Sequence, residues 1–159
     1  MILQPRRKPR LSAGVLLYRR APEGLLVFLA HPGGPFWARK DAGAWSIPKG
    51  EPNPHEELFT AARREFHEEI GFAPEGEFLA LTPLKQKSGK TIHIWAVAGE
   101  IDAAHIVSNE FEMEWPPRSG RLQRFPEIDR AAWFALTEAR ERLQPGQVPF
   151  LDELAEKLA

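Results

Sequence analysis

The stretch that decides the fold lies mid-chain, where residues 50–72 read GEPNPHEELFTAARREFHEEIGF. Within it, apolar side chains recur every fourth residue, which is typical of one buried stripe of an α-helix: Leu58, Ala62, Phe66 and Ile70. Asn53 suits the N-cap, with Pro54 at the first helical position and Glu56 at capping-box spacing. Gly71 stands where a left-handed C-terminal cap is expected. The stretch therefore predicts a helix that begins after Asn53 and ends before Gly71.

Three glutamates lie on one face of this predicted helix. Glu65, Glu68 and Glu69 stand at i, i+3 and i+4, which places them about one turn apart. Like charges at this spacing repel, and the C-terminal half of a helix is the unfavourable end for anions. A bound cation compensates both effects, and ligands that are all oxygen suit Mg²⁺ or Mn²⁺ better than zinc. The alternative is a solvated acidic face bordered by Arg63 and Arg64.

The whole segment resembles the Nudix box, the signature Gx5Ex7REUxEExGU in which U is a bulky apolar residue. Gly50, Glu56 and residues 64–72 stand at the specified positions, with the aromatic Phe66 and Phe72 where aliphatic residues are commoner. The resemblance implies an α/β (α+β) fold, namely the Nudix α/β/α sandwich with a mixed β-sheet. It also implies hydrolysis of a diphosphate bond in a nucleoside diphosphate derivative.

The same resemblance implies roles for individual residues. Four positions are implied to hold Mg²⁺ or Mn²⁺: Gly50 through its carbonyl, Glu65, Glu68 and Glu69. The implied catalytic residues are Glu65, Arg64 and Glu68, with Arg64 placing the glutamate that activates water or binds metal. Glu56 is implied to be structural and to hold the loop to the helix, which agrees with its position as a capping partner.

Many members of this family recruit a further glutamate from outside the box as a metal ligand or base. Residues 110–115 read EFEMEW, which alternates strictly and predicts a strand with one acidic face. Among Glu110, Glu112 and Glu114, we predict that the central Glu112 is the additional metal ligand, with Glu114 next. An exposed acidic edge strand is the alternative for each of them.

Substrate contacts are expected from residues that flank the box. Lys49 directly precedes Gly50, and Lys87 lies in the predicted hairpin turn, so we expect both to meet phosphates; exposed lysines are the alternative. Aromatic side chains in or beside the Gly/Pro-rich segment 31–44 are candidates for stacking on a base: Phe36, Trp37 and Trp45. Of these, Trp45 is our prediction for a substrate-binding residue.

The predicted order of elements is strands, the box helix, more strands, then helices, which indicates a mixed sheet with helices packed on it. The predicted strands are 12–18, 25–30, 45–47, 78–85, 91–99, 110–115 and 131–136, and the later helices are 137–143 and 148–158. We predict a basic N-terminal arm over residues 1–11 and a single domain over residues 12–159. The cations of the arm either belong to a solvated tail or help to attract an anionic ligand. They are Arg6, Arg7, Lys8 and Arg10.

Composition narrows the class of protein. The 159 residues are 43% hydrophobic and carry a formal charge of −1, which argues against nucleic-acid binding by bulk electrostatics. The chain contains no cysteine, which excludes disulfides and thiolate metal sites. No apolar run of membrane-spanning length or signal-peptide core is evident, so we predict a cytoplasmic protein without a membrane partner. A stable nucleic-acid partner is not expected, and the chain is expected to be a monomer or homodimer.

The predicted function is that of a metal-dependent Nudix pyrophosphohydrolase acting on a small-molecule nucleotide. The run WSIPKG at residues 45–50 is similar to the approach to the box in enzymes that act on dinucleoside polyphosphates and diphosphoinositol polyphosphates, and of these we predict a dinucleoside polyphosphate. One alternative is a hydrolase of ADP-ribose or (d)NTPs. Another, from a different class, is a non-catalytic Nudix domain that binds a nucleotide as a sensor or regulator; such domains usually lose box glutamates, whereas this chain keeps them.

Overall fold

A computed structural model describes residues 10–159, which begin with a long hairpin. Strands β1 (Leu11–Ala21) and β2 (Gly24–Pro32) pair antiparallel across a two-residue turn. Successive side chains of a strand point to opposite faces of the sheet. Accordingly, Val15 and Leu17 enter one hydrophobic core and Leu16 enters a second core on the other face.

The main sheet grows outward from this hairpin. Its remaining strands are β3 (Lys49–Gly50), β4 (Leu79–Ala80), β5 (Leu84–Lys85), β6 (Thr91–Ala98) and β9 (Ile128–Ala135). The central order is β4-β6-β1-β2-β9, while β3 pairs with the start of β1 and β5 with the start of β6. Because β1 and β6 run parallel and the other pairs run antiparallel, the sheet is mixed.

Helices cover both faces of this sheet. Helix α1 (Leu58–Ile70) packs Ala62, Phe66 and other apolar residues into the core shared with Val15 and Leu17. Helices α2 (Leu136–Arg142) and α3 (Val148–Leu158) contribute to the core on the opposite face. The predicted α/β/α arrangement around a mixed sheet is therefore confirmed.

The start of α1 differs from the prediction. The helix begins at Leu58, and its N-cap residue Glu57 makes no side-chain cap hydrogen bond. Asn53 and Glu56 instead form a separate turn, in which the Glu56 N–H donates to the Asn53 carbonyl and the Asn53 N–H donates to the Glu56 carboxylate, each at 3.0 Å. The prediction of an N-cap at Asn53 was wrong because these groups satisfy each other before the helix begins.

Two predicted strands are also shorter than expected. Residues 78–85 form two strands of two residues each, β4 and β5, because the Thr82 N–H donates to the Glu153 carboxylate and Pro83 has no N–H to donate. Residues 45–47 contribute only isolated bridges, one from Ser46 to Ala30 and one from Trp45 to Leu143.

A second, two-stranded sheet stands apart from the main one. Strands β7 (Glu110–Glu114) and β8 (Leu122–Pro126) form the β7–β8 hairpin. As the alternation predicts, the apolar residues Phe111 and Met113 are half-buried while the glutamates of β7 are exposed. The hairpin returns the chain to β9, the edge strand beside β2.

The N-terminal arm falls mostly outside the described part of the chain. Arg6, Arg7 and Lys8 precede residue 10, whereas Arg10 is exposed and Leu11 already belongs to β1. The boundary predicted between the arm and the domain therefore stays a prediction. None of the helices within residues 10–159 is long and apolar enough to cross a membrane.

Candidate active site

Gly50 and Glu65 meet where β3 crosses the face of α1. The register pairs Gly50 with Ala13 of β1, and Ala13 faces the α1 core. A Cβ atom added at Gly50 would lie 2.2 Å from the carboxyl carbon of Glu65, far inside contact distance. Glycine at this position leaves the Glu65 carboxylate where it lies, whereas any residue with a Cβ would require that carboxylate to move.

Arg64 connects the surrounding acidic side chains through a network of hydrogen bonds. Its Nε and Nη2 donate to the two carboxylate oxygens of Glu56, each at 2.9 Å, in a bidentate pair. Its Nη1 donates to Glu65 and to Glu68, each at 3.0 Å, and Nη2 also donates to the Glu51 carbonyl at 3.1 Å. The bond from Arg64 lowers the pKa of Glu56, so the Glu56 carboxylate stays ionised where it ties the loop to the helix.

Glu69 is the carboxylate most altered by its surroundings. Burial, followed by the nearby charges of Glu65 and Glu127, raises the pKa of Glu69 to about 8. Lys49 opposes this shift, and burial together with the Lys90 charge lowers the pKa of Lys49 itself. A buried carboxylate that holds its proton this strongly is a group that a cation would deprotonate.

Raising the pH from about 5 to about 8 is expected to destabilise the protein in EDTA, because the folded-state pKa of Glu69 lies above its ordinary value of 4.5. The stabilising contribution of this proton is fully present below the unfolded-state pKa and is lost as the pH rises through the folded-state pKa. Melting temperatures across this range measure the effect.

Glu69→Gln, which cannot ionise, serves as the control and should flatten this pH dependence. Mg²⁺ favours the carboxylate form, so it should raise the melting temperature most at the alkaline end. A wild-type slope identical to that of Glu69→Gln would contradict the pKa of Glu69 on which this expectation rests.

Glu127 is the acidic residue that the sequence analysis missed. It lies at the junction of β8 and β9, where its N–H donates to the Asn109 carbonyl and its carbonyl accepts from the Gly33 N–H, each at 2.8 Å. Burial raises the pKa of Glu127, and the charges of Glu65 and Glu68 raise it further. The sequence does show Glu127 as an acidic residue between the predicted strands 110–115 and 131–136. Glu112 was predicted instead because it lies within the alternating pattern of residues 110–115.

Glu112, the predicted additional metal ligand, belongs to the second sheet. Glu112 is exposed on the acidic face of the β7–β8 hairpin, directly opposite Arg124 in the strand pairing. Arg124 also lies 3.8 Å from the Glu110 carboxylate, measured from its Nε. This face is the one opposite Phe111, so the cross-strand cation and solvent are the surroundings of Glu112.

Trp45 is buried in the core, which corrects its assignment to substrate binding. Its side chain is only 4% exposed, and its indole N–H donates to the Asp41 carboxylate at 2.8 Å. Phe134 packs edge-on at 5.0 Å between ring centroids, and the Arg130 guanidinium lies 5.4 Å from the ring centroid. No ring face is left for a base, so Trp45 supports the segment before the box instead.

The two lysines predicted to bind substrate lie in different places, one beside the box and one on the surface away from it. Lys49 lies on β3 beside the box carboxylates, and its contact with a phosphate stays a prediction. Lys87 lines a cavity of about 560 Å³ between the β5–β6 turn and Gly146. Lys90, at the end of that turn, forms an ion pair with Glu51 at 3.1 Å and is the lysine of this hairpin that reaches the box loop.

The box glutamates fit a hard divalent cation by donor chemistry, since every candidate ligand is an oxygen. Within residues 10–159, no three acidic or histidine side chains are gathered closely enough to share one ion. The positive partner of Glu65 and Glu68 in this structure is Arg64. The close fit of Gly50 against Glu65 and the high pKa of Glu69 are the structural features that agree with a cation site.

The chain is similar to known proteins in sequence and in fold. The family model described as NUDIX domain matches residues 8–154. An RNA pyrophosphohydrolase of Cellvibrio japonicus (strain Ueda107) is 42% identical over 60 residues, a match that spans 36% of this chain and only 35% of that protein.

Two solved structures share the fold. The NUDIX domain of Shewanella oneidensis NrtR complexed with ADP ribose has a TM-score of 0.67 and 15% identity, covering 96% of this chain and 90% of that one. A C. elegans Ap4A hydrolase binary complex has a TM-score of 0.61 and 19% identity, covering 94% and 97%. At these identities the two likenesses establish the architecture alone.

Proposed function

The chain belongs to the NUDIX domain family, and from this premise we propose that it is a pyrophosphohydrolase that cleaves a diphosphate bond in a nucleoside diphosphate derivative. The single observation that carries the proposal is the cluster in which Arg64 holds Glu65 and Glu68 while Gly50 makes room for Glu65. A non-catalytic domain has no need to keep this arrangement together with every glutamate of the box.

We propose that the cofactor is Mg²⁺ or Mn²⁺, held by the Gly50 carbonyl, Glu65, Glu68 and Glu69. When bound, such an ion neutralises phosphate charge and polarises the phosphoryl oxygen. Arg64 then serves as the positioning residue, because its rigid guanidinium fork fixes two of these carboxylates relative to the loop. Lys49 and Lys90 supply positive charge for an anionic substrate at the edge of the carboxylate cluster.

Glu127 replaces Glu112 in this proposal as the additional carboxylate. A partly buried carboxylate with a raised pKa beside the box is suited to accept a proton from attacking water at its carboxylate oxygen. Glu65, Glu68 and Arg64 keep the catalytic roles that the family resemblance implies.

The pair Glu127→Gln and Glu112→Gln tests this replacement. We expect Glu127→Gln to lower kcat by about 10²-fold or more, since general acid–base groups contribute that much, and Glu112→Gln to stay near the wild-type value. Steady-state kinetics with melting temperatures measure both effects. A larger loss of kcat in Glu112→Gln than in Glu127→Gln would instead support Glu112 as the additional ligand.

Within this class we propose a dinucleoside polyphosphate as the substrate. The proposal is supported by the WSIPKG run before the box and by the lysines at positions 49, 87 and 90, which suit a long polyphosphate. The fold shared with the C. elegans Ap4A hydrolase agrees with it. ADP-ribose is the second candidate, because the NrtR domain of the same fold binds it.

A substrate panel tests the function. Purified protein is incubated with diadenosine polyphosphates, ADP-ribose, NADH and (d)NTPs, with Mg²⁺ or Mn²⁺ and with or without EDTA. We expect metal-dependent product release that is fastest on a dinucleoside polyphosphate and that EDTA abolishes. Binding of a nucleotide with no turnover of any substrate would favour the sensor instead.

The proposal includes a cytoplasmic location and a monomer or homodimer, as composition and family resemblance suggest. Cell fractionation and light scattering of the purified protein test these two expectations. Neither outcome changes the residues proposed for the reaction.

A further inference from the structure

The segment at residues 33–44, here called the 33–44 loop, meets the β7–β8 hairpin directly beside Glu127. The Gly33 N–H donates to the Glu127 carbonyl at 2.8 Å, which fixes the start of the loop to the junction of β8 and β9. One residue later, a Cβ added at Gly34 would lie 2.9 Å from the Phe111 ring, so the loop backbone packs closely on the apolar face of the hairpin. The loop and the hairpin therefore form a continuous surface with Glu127 at its base.

Two aromatic rings stand on this surface. Phe36 is 62% exposed, and its ring meets that of Trp115 edge-on, at 5.6 Å between centroids and 76° between planes. Phe111 and Phe125 lie on the same face of the hairpin as Trp115 and pack with each other at 6.0 Å. Whereas core phenylalanines such as Phe28 and Phe66 are fully buried, the exposed Phe36 paired with a second ring is an uncovered aromatic surface.

The far end of the 33–44 loop is held firmly. His31 is fully buried, with Nε2 2.6 Å from the Lys40 carbonyl and Nδ1 2.8 Å from the Asp129 carboxylate. A carbonyl only accepts, so Nε2–H is the donor to Lys40. The Gly43 N–H donates to the Glu141 carbonyl at 3.0 Å, which anchors the loop to α2 as well. The loop that carries Phe36 is therefore fixed by hydrogen bonds near both of its ends.

The short chain segment between Gly33 and Phe36 limits how far Phe36 can lie from Glu127. Phe36 follows Gly33 by three residues, so its Cα lies within about 11 Å of the Gly33 Cα, which is next to Glu127. A ligand whose phosphates lie at the carboxylate cluster can therefore reach Phe36 with a base attached to them. Aromatic rings bind any base through stacking, without reading its hydrogen-bonding edge.

We propose that Phe36 and Trp115 form the base-binding surface of the substrate site, a deepening that rests on the proposed function. The substrate class that this surface selects is a phosphate ester bearing an aromatic base, as opposed to a base-free polyphosphate. Phe36 contributes an open ring, and Trp115 holds it in place by edge-to-face packing. Specificity for the base thus comes from elements outside the box.

Calorimetry with Mg²⁺ tests this assignment using α,β-methylene-ADP, α,β-methylene-GDP and base-free methylenediphosphonate. Phe36→Ala is expected to raise the Kd of the tighter-binding nucleotide by about 5- to 150-fold, the loss that corresponds to one stacked base. Phe36→Tyr keeps the ring and should restore the affinity. The Kd of methylenediphosphonate should be the same for all three proteins.

Leu122→Ala is the matched control, because Leu122 is 67% exposed on the opposite face of the same hairpin. Its nucleotide affinity should equal that of the wild type. The proposal is overturned if the wild type binds methylenediphosphonate as tightly as both nucleotides, or if Phe36→Ala weakens all three ligands equally. A change in oligomeric mass by Phe36→Ala with unchanged nucleotide affinity would also overturn it, in favour of a second copy of the chain on this surface.

The two proposals fail in different ways. Metal-dependent hydrolysis by the wild type together with an indifferent Phe36→Ala would leave the enzyme intact and remove the base-binding surface. Phe36-dependent nucleotide binding with no hydrolysis of any substrate would keep the surface and remove the catalytic proposal.

Discussion

Glu65→Gln is expected to lower kcat for the nucleotide substrate by about 10²- to 10⁴-fold while the protein remains folded. The replacement has nearly the same shape, and its amide oxygen still accepts the hydrogen bond that Arg64 donates to Glu65 at 3.0 Å. The charge that attracts a divalent cation is lost, however. Steady-state kinetics and the Mg²⁺ dependence of the melting temperature measure the two consequences.

Glu75→Gln provides the matched control because Glu75 is exposed and follows the box. It makes the same chemical change and should leave kcat and the response to Mg²⁺ unaltered. If Glu65→Gln retained wild-type turnover, Glu65 would have no catalytic or ligand role.

Gly50→Ala reaches the same carboxylate by a different route. The added methyl group would overlap the Glu65 carboxyl, whose carbon lies 2.2 Å from the position that the new Cβ would take. The Glu65 side chain must then move, and misplacement of a catalytic group by about 1 Å costs on the order of 10²-fold. We expect a lower kcat here with every box glutamate still present; an unchanged kcat would show that the Glu65 position is not critical.

Arg64→Ala is a further variant with a large expected effect, through position and not through contact with the reacting atoms. Arg64 donates to Glu56, Glu65 and Glu68, so its removal frees the two box carboxylates and separates the loop from α1. We expect kcat to fall by about 10²-fold, with KM changing less. The melting temperature should also fall, because the Arg64 side chain is only 25% exposed and its removal leaves three carboxylates without their cation, but this loss should be smaller than the loss of turnover.

Arg64→Lys separates charge from geometry. A lysine ammonium keeps the positive charge but cannot reproduce the bidentate pair with Glu56 while also reaching Glu65. We therefore expect it to recover stability more than kcat. Equal losses of stability and turnover in Arg64→Ala, both fully recovered by lysine, would recast Arg64 as a structural charge.

Local patterns were sufficient for much of the fold. The apolar repeat of α1 follows from the helical period, and Gly71 ends the helix in a left-handed conformation at φ 82°, with its N–H bonded to the His67 carbonyl. The alternation of residues 110–115 correctly predicted the strand that is β7. These features depend on residues close in sequence, which is why the sequence alone was enough to predict them.

Local sequence patterns did not predict where α1 begins or which side chains surround the box. Glu56 had the spacing of a capping partner, yet Arg64, eight residues later, binds its carboxylate and the helix begins at Leu58. Trp45 had the sequence position of a ring beside the site, but packing against Phe134 buries it. Each outcome was decided by a side chain distant in sequence or brought near by another element.

The glutamates show most clearly which contacts follow from local sequence and which depend on tertiary structure. Glu65, Glu68 and Glu69 share a helix face because the helical repeat places them there, so their proximity could be deduced from spacing. Glu127 lies 58 residues after Glu69 and comes near them only because β9 pairs with β2 and because its backbone bonds to Asn109 and Gly33. Strand pairing across such separations depends on the whole packed sheet, and no local pattern in the chain encodes it.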